Sequence, residues 1–233
     1  MTLEYDSKHV VITGGTGGLG GAVVEEFLRR GATVHVPCIE EATPERCTWT
    51  SHERAHTVTN ISLMNDSSVS DLYASLPPLW ASIHLVGGFA MSSLLDTSLD
   101  DFQRMLRLNL ISCFLCTREA ARAIGATGDG GRIVNVAARP ALEPAGGMIA
   151  YATAKAGVAA FTASAAAELK DESILVNAVA PSIIDTPTNR ASMPKADHSK
   201  WPTPSQLAET IAFLSSPRNE LTWGTVVPVY GRA

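Results

Sequence analysis

The chain has 233 residues, of which 45% are hydrophobic and 18% charged, so it can bury the core of one globular domain. Its net charge of -5 and its scattered Lys and Arg residues argue against a nucleic-acid-binding surface. No apolar run approaches the ~20 residues of a membrane span, no secretory leader precedes the first apolar run, and four cysteines are too few for a disulfide framework, so we expect a cytoplasmic protein.

Short apolar runs alternate with helical patterns from one end of the chain to the other. The apolar runs predict strands at residues 9–13, 32–38, 56–59, 83–86, 132–137, 175–180 and 225–230. Helical spacing predicts helices at residues 19–30, 69–76, 100–124, 150–169 and 206–214. This alternation is typical of βαβ units, in which right-handed crossovers place helices on both faces of a parallel sheet. The sequence therefore predicts an α/β fold, a Rossmann-type doubly wound parallel sheet in a single domain spanning residues 1–233.

One irregular stretch, rich in Pro, Ser and Asp, spans about residues 182–204. A loop of that length inside a compact domain is usually functional or mobile, so we predict a substrate lid there. Arg190 in this stretch either pairs with an anionic substrate or is simply solvated. Trp201 and Phe89 either contact substrate or pack the lid.

A glycine-rich turn, TGGTGGLG, lies between the first predicted strand and the first predicted helix. Glycines let the backbone approach a pyrophosphate closely, and the N-terminus of the helix offers N–H groups and the positive end of its dipole. An ordinary strand-to-helix turn is the alternative, so the turn alone is a weak signal. Its TGxxxGxG spacing, met by Thr13, Gly14, Gly18 and Gly20, resembles the cofactor turn of the short-chain dehydrogenase/reductase family.

Three further segments resemble that family, in the family's order and over almost the whole chain. Asn109 lies in RLNLISCFLCTREA, Tyr151 and Lys155 lie in AYATAKAGVAAF, and VNAVAP occupies residues 176–181. The resemblance implies an NAD(P)H-dependent oxidoreductase that transfers hydride to a small carbonyl or conjugated imine substrate. Tyr151 would be the proton donor, Lys155 would also hold the nicotinamide ribose, and Asn109 would anchor a water that relays protons.

The spacing of the reacting pair suits this chemistry, because residues four apart share one helix face. A lysine ammonium beside a phenol favours the phenolate, so we expect it to pull the pKa of Tyr151 from ~10 toward neutrality. The resemblance also implies a cofactor site of Gly14, Thr16, Gly18, Leu19, Gly20, Cys38, Asn60, Ile61, Gly87, Gly88, Tyr151, Lys155, Pro181, Ile184 and Thr186. It implies a substrate site of Ala138, Phe89, Met148 and Ser182.

One departure from the family pattern bears on catalysis. Ala138 stands where the family usually has a serine that polarises a substrate carbonyl, and losing one such donor typically costs ~3 kcal/mol of transition-state stabilisation. Three explanations are open. The substrate does not need the donor; another group supplies it, such as Arg139, Ser92 or Ser182; or the protein binds cofactor with little turnover.

A narrower resemblance links this departure to a second one. Quinonoid dihydropteridine reductases also lack the serine, carry a Gly-Gly-aromatic turn like that at residues 87–89, and have a lid similar to residues 185–201. The segment Gly147-Met148-Ile149 is also similar. A quinonoid pterin is already activated, which would make the serine dispensable. Asn109, by contrast, is not a feature of those enzymes and argues against a direct equation. Quinonoid dihydropteridine reductase is therefore an alternative function rather than the leading one.

The residues that would meet the adenosine ribose give a mixed signal. Cys38 and Ile39, at the end of the second predicted strand, are neither the acidic residue of NAD-preferring members nor an arginine for a 2′-phosphate. Gly17 stands where NADP-preferring members often carry Lys or Arg. Glu40 and Glu41 would repel a phosphate, so the balance tips toward NADH over NADPH.

Two other motifs carry no predicted chemistry. The HExxH pattern at residues 52–56 runs straight into a predicted strand, so no helix places both histidines on one face, and we predict no metal site. Cys113 and Cys116 lie within an apolar helix and are predicted to be buried thiols. By resemblance, the two long helices at residues 100–124 and 150–169 pair across a two-fold axis, giving a homotetramer or, alternatively, a homodimer. A small-molecule substrate is then the remaining partner, with neither nucleic acid nor membrane involved.

Overall fold

The computed structural model describes residues 3–233, and its centre is a seven-stranded sheet in which every pairing is parallel. The strands are β1 (His9–Thr13), β2 (Thr33–Pro37), β3 (Ala55–Val58), β4 (Leu79–His84), β5 (Gly131–Val136), β6 (Ile174–Pro181) and β7 (Val226–Val229). The helices are α1 (Gly20–Arg29), α2 (Asp66–Ala74), α3 (Leu99–Leu106), α4 (Ser112–Gly125), α5 (Ile149–Leu169), α6 (Pro187–Ser192) and α7 (Pro204–Leu214). The predicted Rossmann-type fold is confirmed.

The strand order is β3-β2-β1-β4-β5-β6-β7, so the direction of winding reverses between β1 and β4. Each face of the sheet buries its own apolar layer, because successive residues of a strand point to opposite faces. Val10 and Ile12 of β1 pack with the layer of α1 and α7, and Val11 packs with the layer of α2, α4 and α5. A crevice outside the carboxyl ends of β1 and β4 is where such folds bind ligands.

The fourth strand lies earlier in the chain than the sequence predicts. It runs over Leu79–His84 rather than residues 83–86. Two polar side chains of this strand, Ser82 and His84, are buried and hydrogen-bonded, which the sequence pattern does not indicate. The Ser82 hydroxyl shares a 2.7 Å hydrogen bond with Tyr73, and His84 Nδ1 lies 2.8 Å from the Asn135 side-chain oxygen. These partners lie on α2 and β5, out of reach of any local sequence pattern.

The helix predicted over residues 100–124 is interrupted. A π-helical turn at Arg107–Ile111 joins α3 to α4, and the backbone stays in the right-handed helical region at both junctions. Cys113 and Cys116, just beyond this turn, are free and buried, as predicted. His52 and His56 do not share a helix, since the first follows a short 3₁₀ turn at Thr48–Ser51 and the second lies in β3.

The stretch at residues 182–204 is less irregular than predicted, because it contains α6 and a 3₁₀ turn at His198–Lys200. Its base is closed by a hydrogen bond from Asp185 N to Pro202 O of 2.9 Å. Arg190 is paired inside the segment, donating to the Asp185 carboxylate over 2.7 Å. None of the helices described within residues 3–233 combines the length and apolar character needed to cross a membrane.

Candidate active site

The glycine turn follows β1 at the point where the sheet reverses its winding. Gly14 has a φ of +72°, in the left-handed region that favours glycine, and Gly17 N donates to Gly14 O over 2.9 Å to close the turn. A side chain at Gly20 would collide with the turn itself, since its Cβ would stand 2.6 Å from the Cα of Gly15. The turn therefore folds only with glycine at these positions, and its backbone is left open to a ligand.

The first turn of α1 differs from the starts of four other helices. The helix begins at Gly20 without a side-chain cap, and its first turn, GGAV, carries no acidic residue. By contrast, α2, α3, α6 and α7 are each capped by their own side chains, from Asn65, Ser98, Thr186 and Thr203. An uncapped helix N-terminus beside a glycine turn fits a pyrophosphate, so this end of the site suits a dinucleotide.

Thr186 faces the glycine turn from the opposite side. A Cβ on Gly18 would lie 3.3 Å from the Thr186 methyl carbon, so the start of α6 lies close above the turn. The Thr186 hydroxyl accepts from Asn189 N over 3.2 Å and so caps α6. Pro181 is buried at the end of β6, Ile184 lies between the two along the chain, and Thr186 is the residue that approaches the turn.

The ends of β2 and β3 bring three predicted cofactor residues together. Cys38 N donates to Val58 O and Ile61 N donates to Cys38 O, each over 2.9 Å. Asn60, between them, has a left-handed φ of +60° and donates from its backbone N to Glu40 O over 3.2 Å. Cys38, Asn60 and Ile61 thus line one corner, next to the glycine turn along the sheet edge.

Asn109 lies at the centre of the π-helical turn and is 1% exposed. Its side-chain oxygen accepts from Gly88 N over 3.1 Å, and its side-chain nitrogen donates to Gly88 O over 3.1 Å and to Met105 O over 3.0 Å. Asn109 therefore fixes the backbone of the Gly87-Gly88 turn that follows β4. Single π-helical turns of this kind are frequent at functional sites.

Lys155 points from α5 to the end of β5, where its ammonium donates to Val136 O over 2.7 Å. Burial lowers the pKa of Lys155 to about 8, with a small opposing effect from Cys113. Burial also raises the pKa of Tyr151 to about 12. The expected lowering of the Tyr151 pKa by Lys155 is therefore wrong for this arrangement, because burial outweighs it and the ammonium is engaged by a carbonyl.

One predicted substrate residue, Phe89, is in contact with Tyr151. The Phe89 ring meets the Tyr151 ring edge-on, with 4.9 Å between centroids and 83° between planes, and 59% of Phe89 is exposed. Ala138 is buried just after β5, and Met148, immediately before α5, forms an isolated parallel bridge with Ser92. Tyr151 therefore has an aromatic neighbour that is itself open to solvent.

Two of the three groups considered as replacements for the missing serine are engaged elsewhere. The Ser182 hydroxyl donates to Tyr230 O over 2.7 Å. Arg139 donates to the Glu143 carboxylate over 2.7 Å and to Ala233 O over 2.9 Å, and it lies over the Tyr230 ring. The Ser92 hydroxyl has a long contact to Ser93 O, at 3.4 Å, and is not firmly held.

Two contacts at the site are not predictable from the sequence. Val136 acts through its backbone carbonyl, and no side-chain pattern reports which carbonyl a lysine will reach. Arg46 lies in the loop after β2, and its Nε donates to Thr16 O of the glycine turn over 3.2 Å. The arginine is thirty residues from its partner, so only the folded loop brings them together.

A parallel doubly wound sheet, a glycine turn at the switch point and a Tyr-Lys pair beside it are typical of nicotinamide-dependent oxidoreductases. The family model described as short chain dehydrogenase matches residues 8–197, and the chain belongs to that family. It is an NAD(P)-dependent short-chain dehydrogenase/reductase.

Relatives and solved structures agree with this assignment. The 3-oxoacyl-(acyl-carrier-protein) reductase FabG of Aquifex aeolicus (strain VF5) is 28% identical over 250 residues, covering 99% of this chain and 99% of that protein. A solved short chain dehydrogenase/reductase family protein aligns with a TM-score of 0.90 and 26% identity, over 98% of each chain. A structure described as ElxO with NADP bound aligns with a TM-score of 0.88 and 25% identity, over 96% of this chain and 97% of that one.

Proposed function

We propose that this protein transfers hydride between a nicotinamide cofactor and a small conjugated imine or activated carbonyl substrate, with Tyr151 as proton donor. The observation that carries the proposal is Ala138 at the serine position, together with a partly buried Tyr151 whose ring meets that of Phe89 edge-on. The experiment that tests it measures turnover with acceptors that do and do not need carbonyl polarisation.

Tyr151 suits the donor role in reduction. Because burial raises its pKa to about 12, the phenol stays protonated at neutral pH and can deliver its proton to negative charge developing on the substrate. Lys155, with a pKa of about 8, carries its charge at neutral pH. Its ammonium donates to Val136 O, and its remaining N–H groups can bond a ribose hydroxyl. A bound nicotinamide cofactor would supply or accept the hydride.

The alanine at position 138 favours an activated substrate. An ordinary ketone would forgo the serine hydrogen bond and lose ~3 kcal/mol of transition-state stabilisation, or roughly 10²–10³ in rate. A conjugated imine or a quinone-like carbonyl accepts hydride readily and has less need of that donor. The Phe89 ring beside Tyr151 suits a flat substrate that can stack on an aromatic side chain.

Quinonoid dihydropterin is the second candidate substrate. The exposed Phe89 ring follows directly on Gly87 and Gly88, after β4. It offers an aromatic face on which a fused heterocycle could stack. A third possibility is a cofactor-binding protein with little turnover. Ala138 favours it, whereas the presence of Asn109, Tyr151 and Lys155 together at one sheet edge opposes it.

The test is oxidation of NADH and NADPH by the wild-type protein and by Ala138→Ser, across simple ketones, quinones and quinonoid dihydropterin. We expect wild-type turnover with an activated acceptor, and a gain in Ala138→Ser confined to simple ketones. Efficient reduction of simple ketones by the wild-type protein would contradict the activated-substrate proposal. Tight binding of cofactor without turnover on any acceptor would instead favour the binding-protein alternative.

We also propose that α4 and α5 form the interface of a homotetramer or homodimer. Ile111 and Phe114 on this side are each 41% exposed, and the Phe114 ring meets that of Phe161 edge-on at 5.9 Å. Exposed apolar side chains on two neighbouring helices are typical of a surface that a second copy covers. Light scattering during size-exclusion chromatography should give two or four times the mass of one chain, 24.6 kDa.

A further inference from the structure

The loop after β2 returns to the glycine turn and carries one cation against it. Arg46 Nε donates to Thr16 O over 3.2 Å, so the guanidinium lies beside the backbone that would hold the pyrophosphate. Thr48, two residues on, donates to the Glu25 carboxylate over 2.9 Å and fixes the loop to α1. The guanidinium is therefore held beside the glycine turn that follows β1, the strand next to β2. Doubly wound folds place the adenosine ribose at the carboxyl end of β2.

This guanidinium is exposed and not committed to an acidic side chain. Within the described residues, no carboxylate comes within 4.0 Å of Arg46, whereas Arg29, Arg30, Arg118 and Arg190 are all paired. Its single hydrogen bond uses Nε only, which leaves its terminal N–H groups available. A guanidinium with free terminal N–H groups matches the geometry of a phosphate.

Among the acidic residues of the same loop, Glu40 opposes this cation. Burial raises the pKa of the Cys47 thiol, and the nearby charges act on it in opposite senses, Arg46 lowering it and Glu40 raising it. Both charges therefore lie around Cys47. The backbone oxygen of Glu40 accepts from Asn60 N over 3.2 Å, which fixes the Glu40 backbone at the rim of the adenosine corner.

We propose that Arg46 binds the 2′-phosphate of NADPH and makes this chain selective for NADPH over NADH. This revises the preference drawn from the sequence, which weighed Cys38, Glu40 and Glu41 but had no means of placing Arg46. The inference rests on the proposed function, since it takes the glycine turn to hold a nicotinamide dinucleotide. Glu40 limits the selectivity, because its charge lies near the same corner.

The test is equilibrium binding, read from the fluorescence of the reduced nicotinamide and from calorimetry with 2′,5′-ADP and 5′-ADP. We expect wild-type protein to bind NADPH and 2′,5′-ADP at least tenfold more tightly than NADH and 5′-ADP. Arg46→Gln should weaken binding of NADPH and 2′,5′-ADP by roughly 10- to 100-fold. The affinities for NADH and 5′-ADP, which lack the 2′-phosphate, should stay within about twofold of the wild-type values. Glu40→Gln should tighten the binding of NADPH and 2′,5′-ADP and leave that of NADH and 5′-ADP unchanged.

Arg29→Gln is the matched control, because it removes the same charge from an exposed position at the far end of α1. It should change no affinity by more than about twofold. Two results would overturn the inference while leaving dinucleotide binding intact. One is an equal loss of affinity for NADPH and for NADH in Arg46→Gln, and the other is a wild-type preference for NADH. Failure of all four nucleotides to bind would overturn the proposed function as well, so the two failures are distinguishable.

Discussion

Replacing Gly87 with alanine should disable the site through one contact. A Cβ at this position would stand 2.6 Å from the side-chain oxygen of Asn109 and 3.3 Å from the Lys155 ammonium nitrogen. The first distance is well inside ordinary van der Waals contact, so Asn109 must move. Its side chain is held by hydrogen bonds to Gly88 N, Gly88 O and Met105 O, and a displacement of the amide weakens all three.

The magnitude follows from those three hydrogen bonds. Each contributes about 0.5–1.5 kcal/mol net, and a partial loss in a buried setting should lower the free energy of unfolding by roughly 1–3 kcal/mol. Since Asn109 fixes the turn beside Lys155, kcat/KM should fall at least tenfold at the same time. Urea unfolding and steady-state kinetics measure the two effects.

Two other glycines provide the controls for this experiment. Gly21 and Gly146 have no heavy atom within 4 Å of an added Cβ. Gly21→Ala lies within α1 and should stabilise the protein by up to about 1 kcal/mol, and Gly146→Ala should be nearly neutral. If Gly87→Ala matched these controls in both stability and kcat/KM, Asn109 would not be held as described.

Two further predictions concern stability. Burial lowers the pKa of His35 and of His84 to about 4, so the unfolded chain, with histidines near ~6.5, binds more protons between those values. Stability should be fully present above about pH 6.5 and fall as the pH drops toward 4; equal urea midpoints at pH 7.5 and pH 5 would refute this. Thr203→Ala removes the hydroxyl that accepts from Gln206 N and caps α7, which should cost about 1 kcal/mol, whereas Thr210→Ala, in the middle of that helix, should cost less. Thermal unfolding compares the two, and equal losses would count against the cap.

Local patterns were enough to predict the order of strands and helices, because the strands inside the parallel sheet are largely buried on both faces and most of them read as apolar runs. β6 shows this most clearly, since all eight of its residues are buried. The glycine turn was predictable for a related reason, because only glycine tolerates the Gly14 conformation and the approach at Gly20.

The rest depends on contacts between residues distant in sequence. The start of β4 was misplaced because Ser82 and His84 look like surface residues until Tyr73 and Asn135 are brought to them by the fold. The π-helical turn around Asn109 has no periodicity that separates it from an α-helix over five residues. The pKa of Tyr151 depends on burial against Phe89, which the four-residue spacing to Lys155 does not reveal.

The central claim is that Tyr151 supplies the proton, and Tyr151→Phe tests it most directly. Burial alone acts on the Tyr151 phenol, so removing its hydroxyl should leave folding and cofactor affinity nearly unchanged. With the best acceptor of the panel, kcat should fall by roughly 10²- to 10⁴-fold, the usual contribution of a general acid. A variant that binds cofactor normally and keeps kcat within about tenfold of the wild-type value would contradict the account.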